Sequence, residues 1–268
     1  MDAPSVADVL LRARRAQLAD LAWTSGPGLP PRARGVLPLV EPGAQDGVVL
    51  ALTYAELHDA RSLEVAGSAS LVLGLDDADE GGPLLVADCA VQVTADPEGH
   101  VFGGDLLDQE LRGWPPSRVL ADSPLLRREH WWYVPRLLVR LRPVAVQRLE
   151  RDARTDHLLV VDTGSRLQVE TIAAPSTLTT EHRGPLALEH QAARIADGAA
   201  TLHGRAISSD RERWSQWSWT GRLAGGDLDV TSARGEVGLA PTPGVWKRWR
   251  TQRRLERACR AGLEAAGR

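Results

Sequence analysis

The chain has 268 residues, 25% of them charged and 43% hydrophobic, with a formal net charge of −3. That composition excludes collagen-like, disordered and membrane-spanning classes, and the length allows one large or two small domains. Residues 245–268 hold eight basic and two acidic residues, a local +6, so the remainder carries −9 and argues against a general nucleic-acid binder.

From the N-terminus, Ser5 with Asp8 three positions on reads as a helix start, and Val6, Val9, Leu10, Ala13, Gln17 and Leu21 follow helical spacing to about Ala22. Ser25 to Pro31 is a turn-rich break. Arg34–Val40 and Val48–Thr53 read as strands. Tyr54–Ala66 reads as a short helix with Ala55, His58, Ser62 and Val65 on one face. Ser70–Leu75 and Leu84–Thr94 form a hairpin around the acidic loop 76–82, and Leu85, Ala87, Cys89, Val91 and Val93 alternate along the return strand. Asp105–Gly113 and Pro115–Glu129 are helical candidates. Tyr133–Leu149 is a long strand whose Arg136, Arg140 and Arg142 are expected to face solvent or a groove.

The charged stretch 151–156 is the expected boundary between domains 1–149 and 150–268. Beyond it, Leu158–Val161 and Leu167–Ile172 form a hairpin across Thr163-Gly164-Ser165. Leu186–Ala199 reads as a helix. Arg213–Leu223 and Asp227–Thr231 are strands joined by Ala224-Gly225-Gly226, and Val245–Ala266 is an amphipathic basic helix with Leu255, Cys259, Gly262 and Leu263 in its apolar stripe. There is an internal echo. Leu50-Ala51-Leu52 followed by Gly67-Ser68-Ala69-Ser70-Leu71 resembles Leu186-Ala187-Leu188 followed by Gly198-Ala199-Ala200-Thr201-Leu202, so the second half reads as a degenerate copy of the first.

GxSxG, Walker, GxGxxG and HExxH motifs are absent. Cys89 and Cys259 belong to no CxxC pair, and Cys89 in mid-strand is expected to be buried and inert. The acidic loop lacks calcium-loop spacing, so no metal site is expected. Trp217 and Trp219 share one strand face and read as core or interface. The Trp246–Arg254 cluster reads as the solvated side of a docked helix. The start Met1–Ser5 has no basic stretch before an apolar one, and no window approaches ~18 apolar residues. We therefore expect a cytoplasmic protein without membrane contact.

Arg34-Gly35-Val36-Leu37, Leu50-Ala51-Leu52-Thr53, Arg61-Ser62-Leu63-Glu64 and Ala69-Ser70-Leu71-Val72 resemble the pyridoxamine 5'-phosphate oxidase-like FMN-binding split barrel over roughly residues 5–148. The resemblance implies a mainly β fold, a split barrel with flanking helices, followed here by a smaller C-terminal α+β region. It also implies an FMN-dependent oxidoreductase acting on a small-molecule redox substrate, and a homodimer with FMN at the dimer interface. Arg34 and Arg61 would hold the flavin phosphate, with Thr53, His58 and Ser62 beside them near a helix N-terminus. The haem-utilisation branch is similar too: the histidine, asparagine and leucine it carries in this helix correspond here to His58, Ser62 and Leu63, which makes haem the alternative cofactor and a non-catalytic binding or storage protein the alternative function. His130-Trp131-Trp132 adds a histidine beside aromatic rings. The chain departs from the oxidase pattern where Ser-Arg-Lys is replaced by Leu57, His58 and Asp59, and an aspartate beside a phosphate dianion is unfavourable.

Overall fold

The computed structural model describes residues 3–75, 83–113, 132–150, 156–173, 178–188, 195–208, 213–239, 241–242 and 244–267. The expected acidic loop, the helix at 115–129, most of the boundary at 151–156, His130, Trp131 and His190 lie outside them.

A capping box opens helix α1 (Val6–Arg15): Asp8 accepts from the Ser5 backbone N at 2.8 Å, while Ser5 Oγ accepts from the Asp8 N. The helix stops seven residues before the expected end. Ala19–Trp23 is strand β1, because every residue in it is buried and it pairs on both edges, with β2 (Arg32–Val36) and β4 (Ser68–Leu73). Strand β3 (Val48–Thr53) runs as expected into a single 3₁₀ turn (Tyr54–Glu56) and helix α2 (Leu57–Ala66), which Gly67 ends at φ 65°. Its buried face is Ala60 and Leu63 rather than the expected one, and Val65 is 89% exposed. Strand β5 (Leu84–Asp96), a π-helical turn (Phe102–Leu106), helix α3 (Leu107–Gly113) and strand β6 (Arg136–Leu149) complete the first half. Arg136, expected to meet solvent or a groove, is fully buried, its guanidinium 3.9 Å from the Phe102 ring centre and 4.1 Å from that of Tyr133.

The second half contains β7 (His157–Asp162), β8 (Leu167–Ile172), β9 (Gly184–Ala187), β10 (Gly198–Ile207), β11 (Trp214–Ala224), β12 (Asp227–Gly235) and helix α4 (Val245–Ala266). The helix expected over 186–199 is corrected at both ends: Gly184–Ala187 pairs with β12, and Gly198 and Ala199 pair with β11. Leu186 faces the second core, whose demand for an extended edge strand overrides local helix propensity.

The fold is mainly β, with two antiparallel six-stranded sheets in the split-barrel style and flanking helices. The sheet orders are β2-β1-β4-β5-β6-β3 and β8-β7-β10-β11-β12-β9, which are the same permutation when each half is numbered from its own start. The irregularities also correspond. Ser70 pairs with Asp88 and a bulge follows at Asp88/Cys89; Thr201, its counterpart in the echo, pairs with Thr220 and a bulge follows at Thr220/Gly221.

The sheets pack back to back. In β1, Ala19, Leu21 and Trp23 enter the first core while Ala22 turns to the other face. Ala22, Val72, Leu84 and Val86 meet Leu158, Val160 and Val169 of the second sheet in a shared apolar layer. At its margin lies a buried polar cluster: Asp20 Oδ1 accepts from Arg205 Nε at 2.8 Å and lies 3.2 Å from His203 Nε2. Burial works to raise the Asp20 pKa, but the Arg205 charge and the bonds from both partners together hold it below the ordinary value. Replacing Asp20 by Ala would remove the buried carboxylate that Arg205 Nε and His203 share. We expect a loss of about 3–5 kcal/mol at pH 7, read from urea unfolding. The wild-type contribution is complete above an ordinary carboxyl pKa of about 3.9 and fades as pH falls below it, so the two unfolding curves should converge in acid.

Candidate functional site

Alternation along β2 puts Arg32 and Arg34 on one face, pointing at the turn that opens α2. Arg34 Nη2 donates to Glu56 Oε1 at 2.5 Å and its Nη1 to Asp59 Oδ2 at 3.1 Å. Arg32 Nη1 donates to Asp59 Oδ1 at 2.6 Å, and its Nη2 lies 2.8 Å from His58 Nε2. A guanidinium only donates, so in this contact His58 Nε2 is the acceptor. Glu56 Oε2 accepts from both the N and Oγ1 of Thr53, at 2.9 and 3.0 Å. Two cations and two anions close on one another. Burial alone would raise Glu56 and lower Arg34, but the pairing outweighs it: Glu56 lies below its ordinary pKa and Arg34 above.

Of the five residues expected to meet a flavin phosphate, Arg34, Thr53 and His58 share this network. Arg61 and Ser62 point elsewhere. Arg61 Nη2 donates to the Ala265 carbonyl near the end of α4, and Ser62 Oγ accepts from Trp23 Nε1 at 3.0 Å. Helix α4 lies over the same turn. A Cβ on Gly262 would stand 2.0 Å from the Tyr54 carbonyl oxygen, so only glycine allows this approach. Cys259 is buried beside it against Ala55, Trp132 and Tyr133, and burial pushes its thiol up. Burial likewise pushes the Cys89 thiol up to about 12.

As arranged, these residues do not fit an FMN phosphate. A unit negative charge 4 Å from a carboxylate is disfavoured by about 4 kcal/mol at an effective dielectric of 20, and two carboxylates already hold the guanidinium donors. Haem finds no ready ligand in His58 or His157. His58 spends its Nε2 lone pair on Arg32, and His157 Nε2 accepts from Trp217 Nε1 at 2.9 Å while its Nδ1 lies 2.5 Å from Asp156.

A cleft of about 520 Å³ adjoins the network where the halves meet. The first half contributes Trp23, Arg32, Arg34 and Asp59; the second contributes His203, Gln216, Trp217, Ser218 and Arg234. Two hydrogen bonds pin its floor. The Gly35 N donates to Gln216 Oε1 at 2.9 Å, and Thr201 Oγ1 donates to the Pro31 carbonyl at 2.5 Å.

No family model matches this chain, and no curated protein matches it. Solved structures do. A pyridoxamine 5'-phosphate oxidase-related, FMN-binding protein of Nostoc punctiforme is 14% identical over 62% of this chain and 94% of its own, with a TM-score of 0.35. The haem storage protein HutZ of Vibrio cholerae is 16% identical over 54% of this chain and 96% of its own, at 0.36. A haem-binding protein of Mycobacterium smegmatis is 15% identical over 97% of this chain and 100% of its own, at 0.33. At such scores the likeness decides nothing about function.

Sequence reasoning missed Glu56 as the partner of Arg34. The signal was present: Thr53-Tyr54-Ala55-Glu56 has the spacing of a capping box. The contribution of Gln216 had no local signal, since only the packing of the two halves brings it to β2.

The network has a testable pH signature. In the wild type, Glu56 stabilises above its ordinary pKa and that contribution is lost as pH falls below it. In Arg34→Met, burial, the largest influence on Glu56, is opposed only by the Thr53 N and Oγ1 bonds, so Glu56 rises above its ordinary pKa. We expect a loss of about 1.5–3 kcal/mol at pH 7, and stability that increases between pH 7 and 5, measured by urea unfolding across that range.

Proposed function

We propose that this chain is a non-catalytic, ligand-binding split-barrel protein made of two copies of one half-barrel, residues 1–149 and 150–268. The junction cleft is its binding site. The second half takes the place that a partner subunit takes in a split-barrel dimer. The observation that carries this reading is a cleft built from both halves, which share a strand order. Its size is in the range of small-molecule sites, and the Gln216 amide and the Ser218 hydroxyl, on one face of β11, give it neutral hydrogen-bonding groups. The FMN-dependent oxidoreductase suggested by the motifs is disfavoured because Arg34 is matched by Glu56 and Asp59 while Arg61 faces α4.

The test is the absorption spectrum of the desalted protein, with its mass in solution and its tryptophan fluorescence during ligand titration. We expect a colourless protein at the mass of one 29.0 kDa chain, whose Trp23 and Trp217 fluorescence is quenched by a cleft ligand. Tightly retained flavin that turns over with a reduced nicotinamide would overturn the non-catalytic reading. A stable species of twice the mass would overturn the single-chain one. A Soret band on haem addition that leaves both tryptophans unquenched would place the ligand outside the cleft.

A further inference from the structure

We propose that the junction cleft takes a small organic monocarboxylate with an apolar body, its carboxylate held by Arg234 of β12 together with Ser218 and Ser232. This inference rests on the cleft being the binding site.

The second half lines the cleft with one face of its sheet. Alternation along β11 puts Gln216, Ser218 and Thr220 on that face and sends Trp217 and Trp219 into the second core. Across the strand pair, Ser218 stands opposite Arg234 and Thr220 opposite Ser232. Directly opposite residues have Cβ atoms about 5 Å apart, so Ser218, Ser232 and Arg234 rise from one patch.

The groups of the cleft that lack a partner can all donate. Gln216 accepts from the Gly35 N through its oxygen, which leaves the amide NH₂ to donate. Arg34 Nε and Ser25 Oγ, on residues that line the cleft, are buried without a hydrogen-bond partner. Arg234 makes no ion pair or hydrogen bond among the described residues. The amide NH₂ and both guanidinium groups cannot accept, so an occupant must bring the acceptors.

Charge fixes how many it brings in ionised form. Arg32 and Arg34 are matched by Glu56 and Asp59, and His203 faces Asp20. Asp229 and Glu236, the acidic neighbours of Arg234 in the chain, are not in the lining. Arg234 therefore leaves one positive charge in excess, and a carboxylate answers it with the planar geometry a guanidinium binds best. The first half adds Leu29, Pro30 and Pro31 to the lining, and Leu29 is 53% exposed, so an apolar body gains contact there. Thr201 holds the Pro31 carbonyl against the second sheet, which fixes this side of the cleft before an occupant arrives.

Octanoate and its neutral amide, octanamide, test this by titration calorimetry, because they share one chain and differ in the charge of the head. We expect octanoate to bind about tenfold tighter than octanamide. Arg234→Gln should bring octanoate down to the affinity of the amide, and Arg234→Lys should fall between. Ser218→Trp, which fills the cleft, should abolish both. Arg250→Gln/Arg253→Gln, on the exposed part of α4, should leave both unchanged. Circular dichroism and melting identify any variant that fails to fold, and the wild-type comparison stands without them. Equal binding of the two probes that is lost in Ser218→Trp overturns the carboxylate and leaves the cleft reading intact. A preference that persists in Arg234→Gln, or vanishes in the α4 variant, overturns the assignment to Arg234. No binding of either probe overturns the inference and leaves the cleft to the fluorescence titration. Octanoate binding that survives Ser218→Trp overturns the inference and the cleft reading together.

Discussion

Back-to-back packing of the two sheets is the constraint on which the rest of the structure depends. A half-barrel sheet with one solvated face would alternate apolar and polar residues. The strands here do not alternate where the halves meet: Leu84, Leu85, Val86 and Ala87 are buried in succession, as are Leu158 to Val161. One set of side chains fills its own core and the other set fills the shared layer. Burying ~100 Å² of apolar surface per such residue contributes about 2.5 kcal/mol, so a handful of them makes the layer a major source of stability. Separating the halves would expose that layer and also strand Asp20 from His203 and Arg205.

The charge pattern at the cleft follows from that packing. Edge strand β2 is pressed between α2 and the second sheet, so Arg32 and Arg34 lose much of their water. A half-buried guanidinium needs a partner, and the turn after β3 supplies Glu56 and Asp59 from within the same half. The arginines at this place are thus ambiguous as motif residues. The same two side chains serve an anion site when unopposed and an internal ion-pair network when carboxylates stand three and six residues beyond Thr53.

What was legible in the sequence divides along the same line. Strand β3, the 54–66 helical segment, the 158–172 hairpin and α4 were readable because their patterns are local: a short apolar run, apolar residues at helical spacing, a polar turn between two apolar runs. The strand at Ala19–Trp23 was not, since burial on both faces erases the alternation that marks a strand and leaves spacing that also satisfies a helix. Gly184–Ala187 failed for a related reason, its extended form being set by pairing with β12. Arg136 looked like an outward residue because alternation cannot report that Phe102 and Tyr133 enclose it from a distant segment. At the site, the sequence named Arg34, Thr53 and His58 as neighbours. It could not show which charge each arginine would meet.

The exposed tryptophans of α4 are explained by the same economy of contacts. A 22-residue helix is about 33 Å long, and this one is held through Leu255, Cys259, Gly262 and Leu263 near its C-terminal end. Gly262 fixes how closely it approaches the Tyr54 carbonyl, which sets its distance from the body. In its N-terminal turns Trp246 and Trp249 stay 73% and 51% exposed. Trp246 and Trp249 pack edge to face on each other, and Arg253 lies 5.7 Å from the Trp249 ring centre, so each ring sheds part of its contact with water. Arginine-rich turns keep that projecting end soluble. Its basic charge therefore accompanies the geometry of a helix anchored at one end, and the −9 of the remaining chain offers that charge its nearest electrostatic complement.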